Sequence, residues 1–194
     1  MKWKLLENVP VESCWDLVTF RGQFYASFCN GSIVVIDPFS LDVTLTIPSS
    51  LPSVLINWLV PCGNDELFLV EIIGPPTFEF EDFSQLPCRV SRLDEEAGKW
   101  VVVAHVGDRV LFIHYGDMGN VCCSAKELPD GCGVTGNSIV ITDEPGRVTY
   151  LYKYGVDTGN AEDDLSFWRS PRDTCVRTIS RSPMYYHLRV TLET

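Results

Sequence analysis

The chain has 194 residues, 26 acidic against 15 basic, a formal charge of −11, and 45% hydrophobic against 21% charged residues. That balance supports a buried core and excludes wholesale disorder. The carboxylate excess repels phosphate backbones and anionic surfaces, which argues against nucleic-acid and membrane partners.

Length alone allows one large all-β domain or two small ones. Ten Phe, seven Tyr and five Trp, with many Val and Ile, favour strands over helices. The first residues, Met1 to Asn8, hold no apolar run long enough for a secretory signal. No stretch approaches the roughly 18 apolar residues of a membrane span. The expected setting is therefore a reducing cytoplasmic or nuclear compartment, with the eight cysteines as buried free thiols. The sequon at Asn30-Gly31-Ser32 would then stay unused.

In chain order, the first clear signal is a three-stranded meander. Asp16–Phe20 leads through Arg21-Gly22-Gln23 to Phe24–Cys29, and Asn30-Gly31 then leads to Ser32–Asp37. Asn-Gly readily takes the positive φ angles of a tight hairpin, so its flanking runs are predicted to pair antiparallel. Pro38 ends the last strand because it cannot donate to a ladder. Further strands are predicted at Val43–Ile47, Leu55–Pro61, Leu67–Ile73, Cys88–Leu93, Lys99–Ala104, Arg109–Ile113, Val121–Ala125 and Ser138–Thr142. Val148–Tyr154, Cys175–Ser180 and Tyr186–Leu192 complete the set. One short helix is predicted around Leu51–Asn57, with Pro52 in its first turn. Two stretches lack such patterning. Gly74–Leu86 alternates Phe78, Phe80 and Phe83 with acidic residues and suits an insertion at the fold edge or a partner-binding loop. The other, Gly155–Asp173, is an irregular, acidic stretch.

Many short strands at such intervals indicate a sandwich, a barrel or a propeller. The unit Val90 to Val103, strand, Asp94 loop, Lys99-Trp100 and strand, is like the outer half of a kelch-type blade. The units also follow one another without the long crossovers of a Greek key.

Motifs with catalytic precedent fail on context. Gly131-Cys132-Gly133-Val134-Thr135-Gly136 fits G-x-G-x-x-G, but a Pro129-Asp130 turn precedes it and a β-rich run follows, where a dinucleotide site needs a strand before and a helix after. Asp157-Thr158-Gly159 matches an aspartic-protease triplet, yet that chemistry needs two copies in apolar surroundings, and this copy runs into an acidic loop. Cys122, Cys123 and Cys132 form the densest thiol cluster, but adjacent strand residues point to opposite faces and do not readily share a metal. A Cys122–His114 nucleophile pair is conceivable, and His105 lies nearby in sequence. Ser124 and Ser138 lack a nucleophile elbow. Glu95-Glu96, Asp163-Asp164 and the late arginines Arg169, Arg172, Arg177, Arg181 and Arg189 read as solvated loops and edges. The sequence therefore offers no catalytic, cofactor-binding or metal residue to assign, and no residues for partner binding.

An ordered set of segments resembles the plant F-box-associated β-propeller family: Asp16 to Ala26 with Gly31 to Asp37; Trp58-Leu59-Val60 with Glu66 to Val70; Arg89 to Asp94, Lys99-Trp100-Val101 and Val106 to Phe112; and Cys123 to Leu128 with Gly136 to Val140. The match runs over about residues 12 to 155; residues 156–194 and Gly74–Leu86 fit less well. The resemblance implies one all-β domain over 1–194, a partial or small kelch-like propeller of about four blades built from antiparallel meanders. It implies no cofactor and no catalysis, but recognition of a protein partner destined for ubiquitination. In that family an N-terminal F-box engages a Skp-type adaptor. No F-box helices precede residue 12, so an adaptor is expected only where an F-box is supplied elsewhere. A stand-alone scaffold or competitor, or a small-molecule binder, is the alternative. Trp100 and Phe112 are expected in the core between sheets, and Gly22, Gly31, Gly107 and Gly136 in turns.

Overall fold

The computed structural model describes residues 6–48, 54–74, 86–115, 119–143, 150–162, 175–181 and 186–191. The first sheet is a meander, β1 (Cys14–Phe20), β2 (Gln23–Phe28), β3 (Ile33–Ile36) and β4 (Val43–Ile47). A second meander holds β5 (Val54–Cys62), β6 (Glu66–Ile73), β7 (Cys88–Asp94) and β8 (Lys99–Val102). The third sheet contains β9 (Arg109–Tyr115), β10 (Val121–Ser124), β11 (Ser138–Asp143), β12 (Tyr150–Gly155) and β13 (Ala161–Glu162). A two-stranded hairpin, β14 (Cys175–Arg181) and β15 (Tyr186–Thr191), follows. This is the all-β, partial propeller architecture implied by the sequence, with three full sheets and a hairpin among the described residues.

Period-two alternation assembles the core. In β6, Leu67 and Leu69 point toward the first sheet, while Phe68, Val70 and Ile72 point toward the third. The second sheet is thus apolar on both faces, which is why Glu66–Ile73 reads as a nearly unbroken hydrophobic run. Phe20, Tyr25, Ile33, Val35 and Ile47 complete the cluster between the first two sheets, joined by the half-buried Trp100. Leu111, Ile113, Ile139, Ile141 and Tyr154 complete the one between the second and third. Each fully buried side chain of this size contributes roughly 1.5–3 kcal/mol.

The outer faces are also covered. Leu6 and Val9 pack on Ala26, Phe28, Val34 and Ile36 of the first sheet. On the third, the segment after β10 lays Ala125, Leu128, Cys132 and Val134 over Val110 and Val140. Phe112 packs in this outer cluster, away from the second sheet.

That placement corrects the expectation that Phe112 lies in the core between sheets, since on β9 it points away from Leu111 and Ile113. Four further expectations are corrected. Residues 54–57 belong to a strand and not to a helix; Ile56, Trp58 and Val60 alternate with Leu59, which serves a sheet buried on both sides. Residues 51–53 lie outside the described residues. The Asn30-Gly31 hairpin forms as predicted, but only Gly31 has a positive φ, of 79°. Phe28 N donates to Ser32 O and Gly31 N to Phe28 O, a three-residue loop ending in a left-handed glycine. Asn30 instead accepts Ser32 N and Oγ on its own Oδ1.

The third sheet is not a meander: its order is β10-β9-β11-β12-β13, with β9 and β11 parallel. The chain turns back through β10 on one side of β9, then crosses to the other side, which requires the long 125–137 connection. Finally, Cys62 and Cys122 are joined as a disulfide and are not free thiols. β5 and β10 lie side by side, bringing the two Cα atoms to 5.2 Å, within bridging distance. Among the remaining cysteines described, Cys88 and Cys132 are buried, while Cys14 and Cys29 are exposed.

Candidate functional site

One edge strand of each sheet, β1, β5 and β10, meets its neighbours through one polar cluster. Asp16 on β1 accepts Leu59 N of β5 at 2.9 Å and Leu17 N at 2.8 Å. Asn120, just before β10, donates from Nδ2 to Asp16 Oδ2 at 2.9 Å and to Leu59 O at 3.1 Å. Its Oδ1 accepts His114 N of β9. One buried amide therefore ties together three sheets whose segments lie 61 and 104 residues away in sequence. Burial pushes the Asp16 carboxyl above its ordinary value, against the hydrogen bonds from Leu59, Leu17 and Asn120 that favour its charge.

At the opposite end of these strands, arginines bridge the sheets. The β1–β2 turn places Arg21 at φ 47°. From there its guanidinium reaches Asn64 O at 2.8 Å, Asp65 O at 3.3 Å and Glu95 at 2.9 Å, all on the second sheet's turns. Arg109, opening β9, pairs with Glu66 of β6, which also receives Arg92 at 3.1 Å. These exposed pairs contribute little each; their geometry fixes how neighbouring sheets abut. Asp108 is held below the usual carboxylate range by the Ser124 hydroxyl and by Lys126.

The residues singled out by motif sit as follows. Gly131–Gly136 belongs to the covering segment of the third sheet, with Gly131 and Gly133 at positive φ and Cys132 and Val134 packed inward. Asp157-Thr158-Gly159 forms a turn after β12, in which Thr158 Oγ1 donates to Gly155 O. Gly159 O accepts Cys88 N at 2.7 Å, so this turn docks on the edge of the second sheet.

Cys122 faces the second sheet and Cys123 the outer face, as adjacent strand positions require. The disulfide occupies Cys122, which removes it from any pairing with His114. His114 Nδ1 lies 2.9 Å from the Thr142 hydroxyl; that hydroxyl donates to Ile113 O, so the imidazole nitrogen is assigned as the donor. Burial pushes the Cys123 thiol up to about 11, with Glu127 and Cys132 adding to the effect. His105 contacts Asn137, whose Oδ1 accepts Val106 N.

Ser124 caps a short 3-10 turn, Ala125–Glu127. Ser138 is buried in β11. Among the described residues no group of three or more His, Cys, Asp or Glu side chains could hold a metal. No helix there is long and apolar enough to cross a membrane. Phe78, Phe80, Phe83, Asp163, Asp164, Arg169 and Arg172 lie outside the described residues.

Sequence reasoning did not single out Asn120. Its only local sign is a buried amide preceding a strand, and its partners come from three distant segments. Trp100, by contrast, packs between the first two sheets as its position after the Asp94 loop implied.

Comparison with known proteins gives this scaffold a family. The model described as "KIB1-4 beta-propeller" matches residues 1–175. An F-box/kelch-repeat protein of Arabidopsis thaliana is 56% identical over 185 residues, covering 95% of this chain and 47% of that protein. A second F-box/kelch-repeat protein from the same plant is 53% identical, covering 91% of the chain and 43% of its own length. An F-box protein of Arabidopsis is 27% identical over 175 residues, covering 79% and 42%. The chain thus spans about half the length of the curated relatives it matches. With three stacked sheets under a match that reaches from residue 1 to residue 175, the chain belongs to the KIB1-4 beta-propeller family, a family of plant F-box-associated propellers.

Proposed function

We propose that this chain is a non-enzymatic protein-binding module that recognises substrates for an F-box-type ubiquitin ligase. The observation that carries the reading is its high identity, nearly end to end, to part of two proteins named F-box/kelch-repeat. The geometry supports it: the conspicuous polar groups, Asp16, Asn120, Arg21 and Arg109, are spent on holding sheets together. A rigid scaffold of that kind presents loops at the ends of its sheets to a partner. Coupling to a Skp-type adaptor belongs to an F-box outside the residues matched to a propeller. The module works in the cytoplasm or nucleus, where that machinery operates.

Proximity labelling with the chain in plant cells tests the reading. The expected result is a small set of proteins labelled above a charge-matched control, at least one of which accumulates when the proteasome is inhibited. Labelling indistinguishable from the control would refute substrate recognition. Labelled partners with unchanged turnover would favour a scaffold or competitor instead.

A further inference from the structure

A sheet that ends in solvent normally blunts its last strand with charge, proline or a bulge, because a row of unpaired N–H and C=O groups invites another chain. The last strands of the first two sheets, β4 and β8, differ in this respect. The ladder of β4 carries a register shift, where Leu45 and Val43 meet Val35 and Ile36, and its exposed Thr44 and Thr46 are polar. β8 has neither device. It runs Lys99-Trp100-Val101-Val102 in unbroken register, and Val101 and Val102 are 39% and 58% exposed. Adjacent strand residues point to opposite faces, so this edge is apolar on both sides. Among the described residues no strand pairs with its outer side.

The backbone of that edge has a fixed pattern. Val103 N donates to Val90 O at 3.0 Å. By the alternation of an antiparallel ladder, Trp100 and Val102 then turn their N–H and C=O groups away from β7. Another extended backbone is what matches such a row. The ground beside it is apolar as well. Leu93 and Trp100, opposite each other on the ladder, face the first sheet, and Val102 shares their face. Leu45 shares the face that Ile47 turns toward the second sheet, and is 42% exposed. A Cβ on Gly98 would stand 3.8 Å from Leu45 Cδ2, so β4 borders the turn that leads into β8. A strand added to β8 would set alternate side chains beside Val102 and toward Leu45 on one face, and beside Val101 on the other.

Charge selects the occupant. In the turn before β8, Arg21 counters Glu95 and Lys99 stands opposite Asp94, which leaves the exposed Glu96 in excess. A second copy would bring the same carboxylates, and a further formal charge of −11, to this edge. We propose that β8 is a docking edge for an extended segment of a basic partner protein, one that alternates β-branched residues and sets lysine or arginine beside Glu96. This docking mode rests on the reading of the chain as a protein-binding module, and adds the strand and the backbone pattern that hold the partner.

The test uses the whole chain and a fluorescent peptide of alternating valine and threonine with arginines at one end. Binding read by anisotropy is expected to saturate and to weaken as salt is added. It should be lost when the peptide is N-methylated throughout, or when Val102→Pro removes an outward N–H without touching the ladder to β7. On binding, the Trp100 and Val102 amides should gain protection from hydrogen exchange, while those of Val101 and Val103 stay as they were. Val11→Lys, on an exposed residue outside the sheets, should bind as wild type does. The proposal is overturned by no saturable binding, by equal binding of the N-methylated peptide, or by equal binding to Val102→Pro. Protection of the two amides without peptide, together with a doubled mass, would overturn it in favour of a second copy. Should Val102→Pro not fold, the N-methylated peptide decides alone. Proximity labelling keeps this edge apart from the reading beneath it. Partners labelled equally by wild type and Val102→Pro would remove the edge and leave protein binding standing, whereas wild-type labelling at the control level would remove protein binding itself.

Discussion

At the scale of single residues, Asn120 has the most to lose. Its side chain satisfies Asp16, Leu59 O and His114 N at once, and it is only 7% exposed. Asn120→Ala would leave several buried groups short of a partner, at about 1–3 kcal/mol for such a loss. Equilibrium urea unfolding should show that destabilisation, and an unchanged midpoint would mean the amide is not the tie between sheets. Asp16 gives a pH test with a definite sign. Its folded-state pKa is raised by burial, so between the ordinary aspartate value and the raised one the folded protein holds a proton that the unfolded chain has released. The stability from Asp16 is therefore fully present below the ordinary value and is lost as pH rises through the raised one. Asp16→Asn cannot take part in this exchange. Relative to wild type, the variant should fare better at pH 7 than below the ordinary aspartate value; a difference independent of pH would contradict the raised pKa. Neither residue was legible as important in the sequence. Asp16 looked like the start of a strand, and nothing local to Gly119-Asn120 announces partners on β1, β5 and β9.

At the scale of elements, most strands could be read from the sequence because alternation and turn residues are local signals. Val43–Ile47 was placed to the residue, and Cys88–Asp94 and Lys99–Val102 nearly so. What failed was pairing. That β10 lies beside β9 but also against β5 depends on contacts roughly 60 residues apart, and so does the disulfide that this proximity permits. The Cys62–Cys122 bridge closes a loop of 60 residues and stabilises by about 4 kcal/mol in the chain-entropy account. For a chain of this size that corresponds to a Tm change of roughly 10 °C. Adding a thiol reductant should lower Tm by that order, and Cys62→Ser should reproduce the drop and abolish the response to reductant. Titration of eight reactive thiols in the denatured, unreduced protein would show instead that no bridge forms. The turn after β12 gives a separate check. A Cβ on Gly159 would stand 2.6 Å from Cys88 O at a φ of 64°, a combination an alanine cannot adopt without moving the turn. Gly159→Ala should cost more than about 1 kcal/mol in urea unfolding, detaching this turn from β7 while leaving the two sheets' own ladders intact.

At the scale of the whole molecule, the question raised by three sheets is what shields the two outer faces. An unprotected apolar sheet face would drive self-association. Here the chain covers both itself. Leu6 and Val9 lie on Ala26, Phe28, Val34 and Ile36, and the segment from Ala125 to Val134 lies on Val110 and Val140. The two covers differ in kind. The second carries a capped 3-10 turn and its own buried thiol, whereas the first, among the described residues 6–13, is irregular and places two aliphatic side chains on the sheet. The first is therefore the weaker shield, and a charge introduced there should expose the face beneath it. The wild-type chain is expected to elute as a monomer in size-exclusion chromatography with light scattering. Val9→Asp should shift part of it to dimers or larger species as concentration rises, with the sheets themselves intact by circular dichroism. The corresponding change on the exposed, unpacked Val11, Val11→Asp, should do neither. Equal behaviour of the two variants would show that the segment around Val9 does not shield the first sheet, and that its buried residues are covered by another part of the chain.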